Sequence, residues 1–205
     1  MVAARIQPPS PPSPSPRGDE RFVMHGVPWK TYALLREALD IPGLRMTYFK
    51  GSLELMSPSP EHERIKTMIA RLVEMYAADR DAPLYGYGST TFRRELKERG
   101  LEPDECYCIG ADLRTYPDLA IEVVMTSGGI EKLPVYQGLE VKEVWFWTDE
   151  SREFQLYGLG ENGYERIARS RLVPGLDFDL LTRFVERTDQ PQAIKEYREA
   201  LRSAP

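Results

Sequence analysis

The chain is expected to fold as a mixed α/β (α+β) domain, a β-sheet flanked by helices, and three observations carry that expectation. Ile65, Met68, Ile69, Leu72, Val73 and Tyr76 recur at three- and four-residue spacing, the stripe of an amphipathic helix over residues 61–79. Two apolar runs rich in β-branched or aromatic residues, 118–125 and 143–148, read as buried strands. The order helix, several strands, helix, strand, hairpin then argues for one mixed sheet with helices packed on it.

Taken in order, residues 31–39 place Tyr32, Leu34, Leu35 and Leu39 at near-helical spacing after Pro28 and Trp29, and Pro42 and Gly43 end that helix. Residues 45–56 alternate about a Lys50-Gly51-Ser52 turn, which makes an N-terminal hairpin with Met46, Tyr48, Leu53 and Leu55 as packing residues. The run Ser57-Pro-Ser-Pro60 breaks it, and Glu61 and Glu63 then meet the positive end of the long helix. Residues 84–92, 105–109 and 118–125 are strand-like, with Gly100 and Gly110 at the connections. Gly128 and Gly129 open a helix reaching Leu139 despite Pro134, and 143–148 is a strand with two tryptophans. Residues 154–157 and 164–168 form a C-terminal hairpin, and 180–186 and 192–201 are helical.

The 205 residues and 41% hydrophobic content suit one globular body. Residues 1–20, with alternating Pro and Ser from Pro8 to Pro16, are expected to be a disordered tail, 21–188 the domain, and 189–205 a helical extension. No apolar run approaches a membrane helix and no signal-peptide pattern opens the chain, so a cytoplasmic protein with no membrane partner is expected. Cys106 and Cys108 share a strand face, and only His25 and His62 are left to complete a zinc set, so two buried reduced thiols are the reading. The net charge of −5 disfavours a phosphate backbone unless cations cluster locally. Arg93, Arg94, Lys97 and Arg99 are such a cluster, read either as a nucleic-acid contact or as a solvated, self-paired connection among nearby acids.

Two carboxylates stand in the apolar run at Asp118 and Glu122. Burying a carboxylate costs several kcal/mol without compensation, and Ile121, Val123 and Val124 surround Glu122. Four residues apart on a strand, the two acids share a face ~13 Å apart, too far to grip one ion held at ~2.1 Å. A partner for Glu122 is sought on an adjacent strand, where Pro103-Asp104 supplies one. Asp118 reads either as a turn anchor after Pro117 or as a supporting residue. Trp145 and Trp147 read as core rather than as base-stacking platforms.

Four segments in order resemble the Uma-type restriction endonucleases, a branch of the PD-(D/E)XK nuclease superfamily, over roughly residues 22–187. They are Gly51-Ser-Leu-Glu-Leu-Met-Ser-Pro-Ser-Pro-Glu-His62, Glu102-Pro-Asp-Glu-Cys-Tyr107, Pro117-Asp-Leu-Ala-Ile-Glu-Val123, and Glu131-Lys-Leu-Pro-Val-Tyr136 leading into Glu143-Val-Trp-Phe-Trp147. The resemblance implies a restriction-endonuclease-like fold and a magnesium- or manganese-dependent DNA endonuclease. It implies Asp104 and Glu122 as metal ligands and catalytic residues. Val124 stands where the superfamily places a lysine, so Lys132 is nominated from the following helix, its long stem reaching back. His62 is a further catalytic candidate, with Glu54 supporting; a helix cap is the plainer use of His62. Arg93, Arg94 and Lys97 are the candidate nucleic-acid contacts. Two rivals stay open: a catalytically degenerate nuclease fold that binds nucleic acid or protein, and an oligomeric structural protein. Cutting both strands of a duplex would suit a homodimer.

Overall fold

The structure, a computed structural model, describes residues 18–39, 41–110, 115–126, 129 and 131–203. Among the described residues eleven strands form two sheets rather than the single sheet expected, with five α-helices packed on them. The first sheet holds β1 (Glu20–Met24), β2 (Arg45–Phe49), β3 (Ser52–Ser57), β5 (Phe92–Arg94) and β6 (Arg99–Leu101), in the antiparallel order β1-β3-β2-β6-β5. The second holds β4 (Leu84–Gly86), β7 (Glu105–Ile109), β8 (Leu119–Val124), β9 (Glu143–Thr148), β10 (Glu153–Gly160) and β11 (Gly163–Ile167), in the order β11-β10-β9-β8-β7-β4. The strand expected over 84–92 is divided, its start pairing with β7 and its end with β6, and Gly88, at a positive φ, lies in the break between them. At Lys50 and Gly51 both φ angles are positive, the conformation a two-residue hairpin turn demands.

Among the described residues only β8 and β9 pair in parallel, and parallel neighbours need a crossover. That crossover carries α3 (Leu133–Leu139), which starts five residues later than the sequence reading placed it, with Pro134 in its first turn. On one face of the second sheet Leu119, Ile121, Val123, Trp145 and Trp147 meet α2 (Pro60–Asp79), α4 (Phe178–Val185) and α5 (Gln190–Ser203). Both tryptophans are fully buried there, each removing ~150–250 Å² from water, about 4–6 kcal/mol of transfer free energy. The opposite face, with Cys106, Ala120 and Val144, is covered by Val135, Tyr136 and Leu139 of α3 and by Phe92 and Leu101 of the first sheet. Burial on both faces explains why β8 reads as a continuous apolar run. A third cluster joins α1 (Trp29–Ala38) to the first sheet through Tyr32 stacked on Tyr48.

Residues 1–17 of the expected tail lie outside the described residues, whereas Asp19 and Glu20 belong to the fold. The helix α5 sends Ala193, Tyr197 and Leu201 into the main core. Among the described residues no helix is long and apolar enough to cross a membrane.

Candidate active site

The antiparallel register of β7 and β8 decides which acids meet. Glu105 opposes Ile121 and Cys106 opposes Ala120, so the next opposed residues are Asp104 and Glu122. Directly opposed residues on antiparallel strands share a face within side-chain reach. The Val123 N–H confirms the juxtaposition by donating to Asp104 Oδ2 at 2.7 Å. Both acids are 0% exposed, on the face toward α3.

Each acid meets its own cations. Lys132, the residue just before α3, places Nζ 2.5 Å from Glu122 Oε2, and the Tyr136 hydroxyl donates to Glu122 Oε1. Lys132 and Tyr136 are four apart, so the turn entering α3 presents both on one side. Asp104 Oδ1 accepts from Arg45 Nη1 at 2.5 Å, and Arg45 Nη2 reaches Glu63 at 3.0 Å. His62 is held from three sides. Its backbone N–H donates to Ser59 Oγ, the cap of α2, at 3.1 Å; Nδ1 lies 3.0 Å from Asp19 Oδ2; Nε2 lies 3.0 Å from Asp104 Oδ1. The last is an ion-pair contact rather than an aligned hydrogen bond. Asp19 Oδ1 in turn accepts the Ser59 N–H at 2.9 Å. Glu54, 1% exposed, lies 3.8 Å from Arg21, and Gly129, at φ +93°, backs onto both, where a Cβ would collide with Glu54 Oε2.

The protonation states follow. Burial opposes a charge on His62, yet Asp104 and Asp19 outweigh it and push its pKa up to about 9, so it is an imidazolium near neutral pH. Burial also opposes ionisation of Asp104, but His62, Arg45 and Lys132 hold its carboxyl well below the usual range. Burial lowers Lys132, and Glu122 and Asp104 more than restore it, so it stays an ammonium. Glu122 goes the other way. Burial raises its pKa, Asp104 adds to that, and Lys132 and Tyr136 offset only part.

Asp104, Glu122, Lys132 and His62 therefore converge, with Glu54 beside them and sensed electrostatically by Lys132. Asp118 does not join them. It sits at the other end of β8, accepting from Ile109 N–H at 2.8 Å and pairing with Lys142 at 2.8 Å. Arg94 and Lys97 both face Glu140, beyond the C-terminal end of α3 and so ~12 Å along the helix from Lys132, while Arg93 is exposed on β5. Sequence reasoning does not reach Asp19, Arg45 or Tyr136. Tyr136 ends the Glu131–Tyr136 segment, and its four-residue spacing from Lys132 is the sequence signal that points to it. Asp19 falls within the expected tail, and Glu20-Arg-Phe-Val-Met24 carries no alternating pattern that would place a strand beside it. Cys106 and Cys108 are buried free thiols, and Cys106 Sγ donates to Gly88 O.

Do these residues fit magnesium? Asp104 and Glu122 are hard oxygen donors on neighbouring strands, and a divalent cation beside Glu122 would favour its charged form, which burial disfavours. Among the described residues no group of three His, Cys, Asp or Glu side chains is gathered as ligands. Magnesium keeps several waters and takes one or two carboxylates with substrate phosphates, so the pair fits it without a third. A cleft of about 300 Å³, lined in part by Arg21, Val123, Lys132 and Phe146, opens beside the pair.

Residues 29–183 match the family described as "Uma2: Putative restriction endonuclease". Among solved structures, the chain is similar to a crystal structure of "a putative nuclease belonging to DUF820" from Anabaena variabilis ATCC 29413. The two are 13% identical with a TM-score of 0.48, over 82% of this chain and 98% of that one. No curated protein matches the sequence.

Proposed function

The chain belongs to the Uma2 restriction endonuclease family, and from that premise we propose that it is a magnesium-dependent endonuclease that hydrolyses DNA phosphodiester bonds. One observation carries the reading: Asp104 and Glu122 stand opposite one another in the strand register, and Lys132 reaches back from the start of α3 to the second of them.

Asp104 and Glu122 would hold the metal, which when bound polarises a phosphoryl oxygen and makes a water more acidic. Lys132 keeps its proton, so its role is that of a cation and hydrogen-bond donor, orienting the attacking water or offsetting charge that develops on the phosphoryl oxygens. Arg45 and His62 hold Asp104 ionised and in place, Asp19 and Ser59 hold His62, and the Tyr136 hydroxyl fixes Glu122. In this scheme His62 positions a ligand and does not take up a proton. The buried, dry setting strengthens each of these electrostatic contacts.

Plasmid nicking in magnesium tests the proposal: wild type should nick, and Asp104→Asn and Glu122→Gln should not. Absence of metal-dependent nicking in clean wild type, or its survival in both variants, refutes it. A second reading is supported by a specific observation. Both acids already have protein cations as partners, as in a nuclease fold that binds without cutting. Calorimetric titration with magnesium or manganese separates the two, because the non-cutting form needs no metal affinity. The homodimer that double-strand cutting would suit is checked by light scattering with and without DNA.

A further inference from the structure

We infer that the cleft beside the acids is a nucleobase subsite that receives the base of the nucleotide next to the scissile phosphate. It rests on the endonuclease reading for the position of that phosphate. Glu122 on β8, Phe146 on β9 and Gln155 on β10 are consecutive neighbours across three strands, so all three lie on one face of the sheet. At one strand spacing per step, Phe146 stands ~5 Å and Gln155 ~10 Å from Glu122 along the backbone, a step sideways from the acids. The cleft runs along this row and is lined at the acid end by Lys132 and Arg21 and farther out by Phe146, Gln155 and Tyr157.

The chemistry of the lining changes along its length. The near end carries Lys132, paired with Glu122, and Arg21, beside Asp19 and Glu54, with Glu131 on the same wall; a phosphate there would join cations that already serve carboxylates. The far end is aromatic and half-buried: Phe146 and Tyr157 meet edge to face, centroids 5.7 Å apart at 84°. A flat heteroaromatic ring can pack against such a pair with little sequence preference. The Tyr157 hydroxyl donates to Gln155 Oε1 at 3.2 Å, which fixes the amide and leaves its NH2 as a donor with no hydrogen-bond partner among the described residues. A donor presented beside an aromatic floor matches the acceptor edge of a base. An anion joined to a flat ring with acceptors on its edge is a nucleotide. An aliphatic ligand would leave the Gln155 NH2 unanswered.

The test titrates the full-length chain with the 5′-monophosphates of adenosine, guanosine, cytidine and their deoxy forms, and with ribose 5-phosphate as the base-free control. Binding is followed in two-dimensional amide NMR spectra. The Gln155 side-chain NH2 signal should shift with the nucleotides and not with the control, which should bind at least tenfold more weakly. Gln155→Ala should lower nucleotide affinity at least fivefold and level the differences between bases, with its thermal midpoint unchanged. Tyr157→Phe, which keeps the ring and releases the amide, should show a smaller loss of the same kind. Equal binding of ribose 5-phosphate, or wild-type affinity and base preference in Gln155→Ala, overturns the subsite. The ribo and deoxy arms tell an RNA source from a DNA source. Plasmid nicking run in parallel separates the two claims. Nicking with no base-dependent binding sinks the subsite alone. Base-dependent binding without nicking supports the subsite and sinks the endonuclease reading.

Discussion

Replacing Lys132 by methionine keeps the length of the aliphatic stem and removes the ammonium 2.5 Å from Glu122 Oε2. The lysine side chain is 14% exposed and the glutamate 0%, so the pair is close to fully desolvated. Removing one partner of a buried pair costs ~3–5 kcal/mol because the other charge is stranded. Slight exposure of Lys132, and the Tyr136 hydroxyl that still serves Glu122, place the expected loss at the lower end, about 3 kcal/mol. Glu122→Gln removes the stranded charge, so Lys132→Met with Glu122→Gln should recover about 2 kcal/mol relative to additivity. Urea denaturation of the wild type, both single variants and the double variant, in EDTA, measures this coupling directly. A ligand that binds only the folded state stabilises it, so magnesium should then raise the midpoint of Lys132→Met. A Lys132→Met midpoint within about 0.5 kcal/mol of wild type, or additive single variants, refutes a buried charge balance at Glu122.

Asp19→Asn keeps an acceptor for the Ser59 N–H but removes the charge facing His62; turnover should fall at least tenfold with little change in KM, at a stability cost of about 2 kcal/mol in urea titrations. Asp118→Asn should leave nicking at the wild-type rate and cost about 1 kcal/mol, since its partners include the Ile109 N–H and the largely exposed Lys142 and it lies away from the acids. Glu143 is buried and accepts from Trp145 Nε1, Ser170 Oγ and the backbone N–H groups of Arg171 and Leu172. Glu143→Gln turns an amide NH2 toward those donors, so unfolding should come about 2–4 kcal/mol sooner while magnesium affinity, read by calorimetry, stays the same. Burial pushes the Cys106 thiol up to about 12, and Cys108 is equally enclosed, so a disulfide-exchange reagent should label neither until urea unfolds the chain.

Much of the architecture is written in local periodicity. The stripe from Ile65 to Tyr76 yields α2, the turn at Lys50 and Gly51 yields the β2–β3 hairpin, and the residues of β9 match their expected range. Such patterns are legible because burial of a helix or strand face depends on spacing along the chain. The same local view identified Glu122 as anomalous, since a carboxylate among Ile121, Val123 and Val124 has no apolar explanation. Strand rise ruled out Asp118 as its partner, and the preceding strand-like segment together with the family resemblance supplied Asp104.

The tertiary structure decided what spacing does not encode. Division into two sheets depends on which edges Phe92 and Leu84 find, and the assembly around the acids depends on Asp19 just before β1, Arg45 of β2, His62 of α2, Asp104 just before β7, Glu122 of β8 and Lys132 just before α3 meeting at one point. Asp19, Arg45 and Tyr136 carry no mark in their own neighbourhoods, because charge compensation acts across space between segments far apart in sequence. By itself the sequence determined that one strand must bury a carboxylate. Only the register of β7 against β8, and the packing of α3 over them, determined which acid faces it and which cations hold the pair, because a buried charge is stabilised by neighbours in space rather than along the chain.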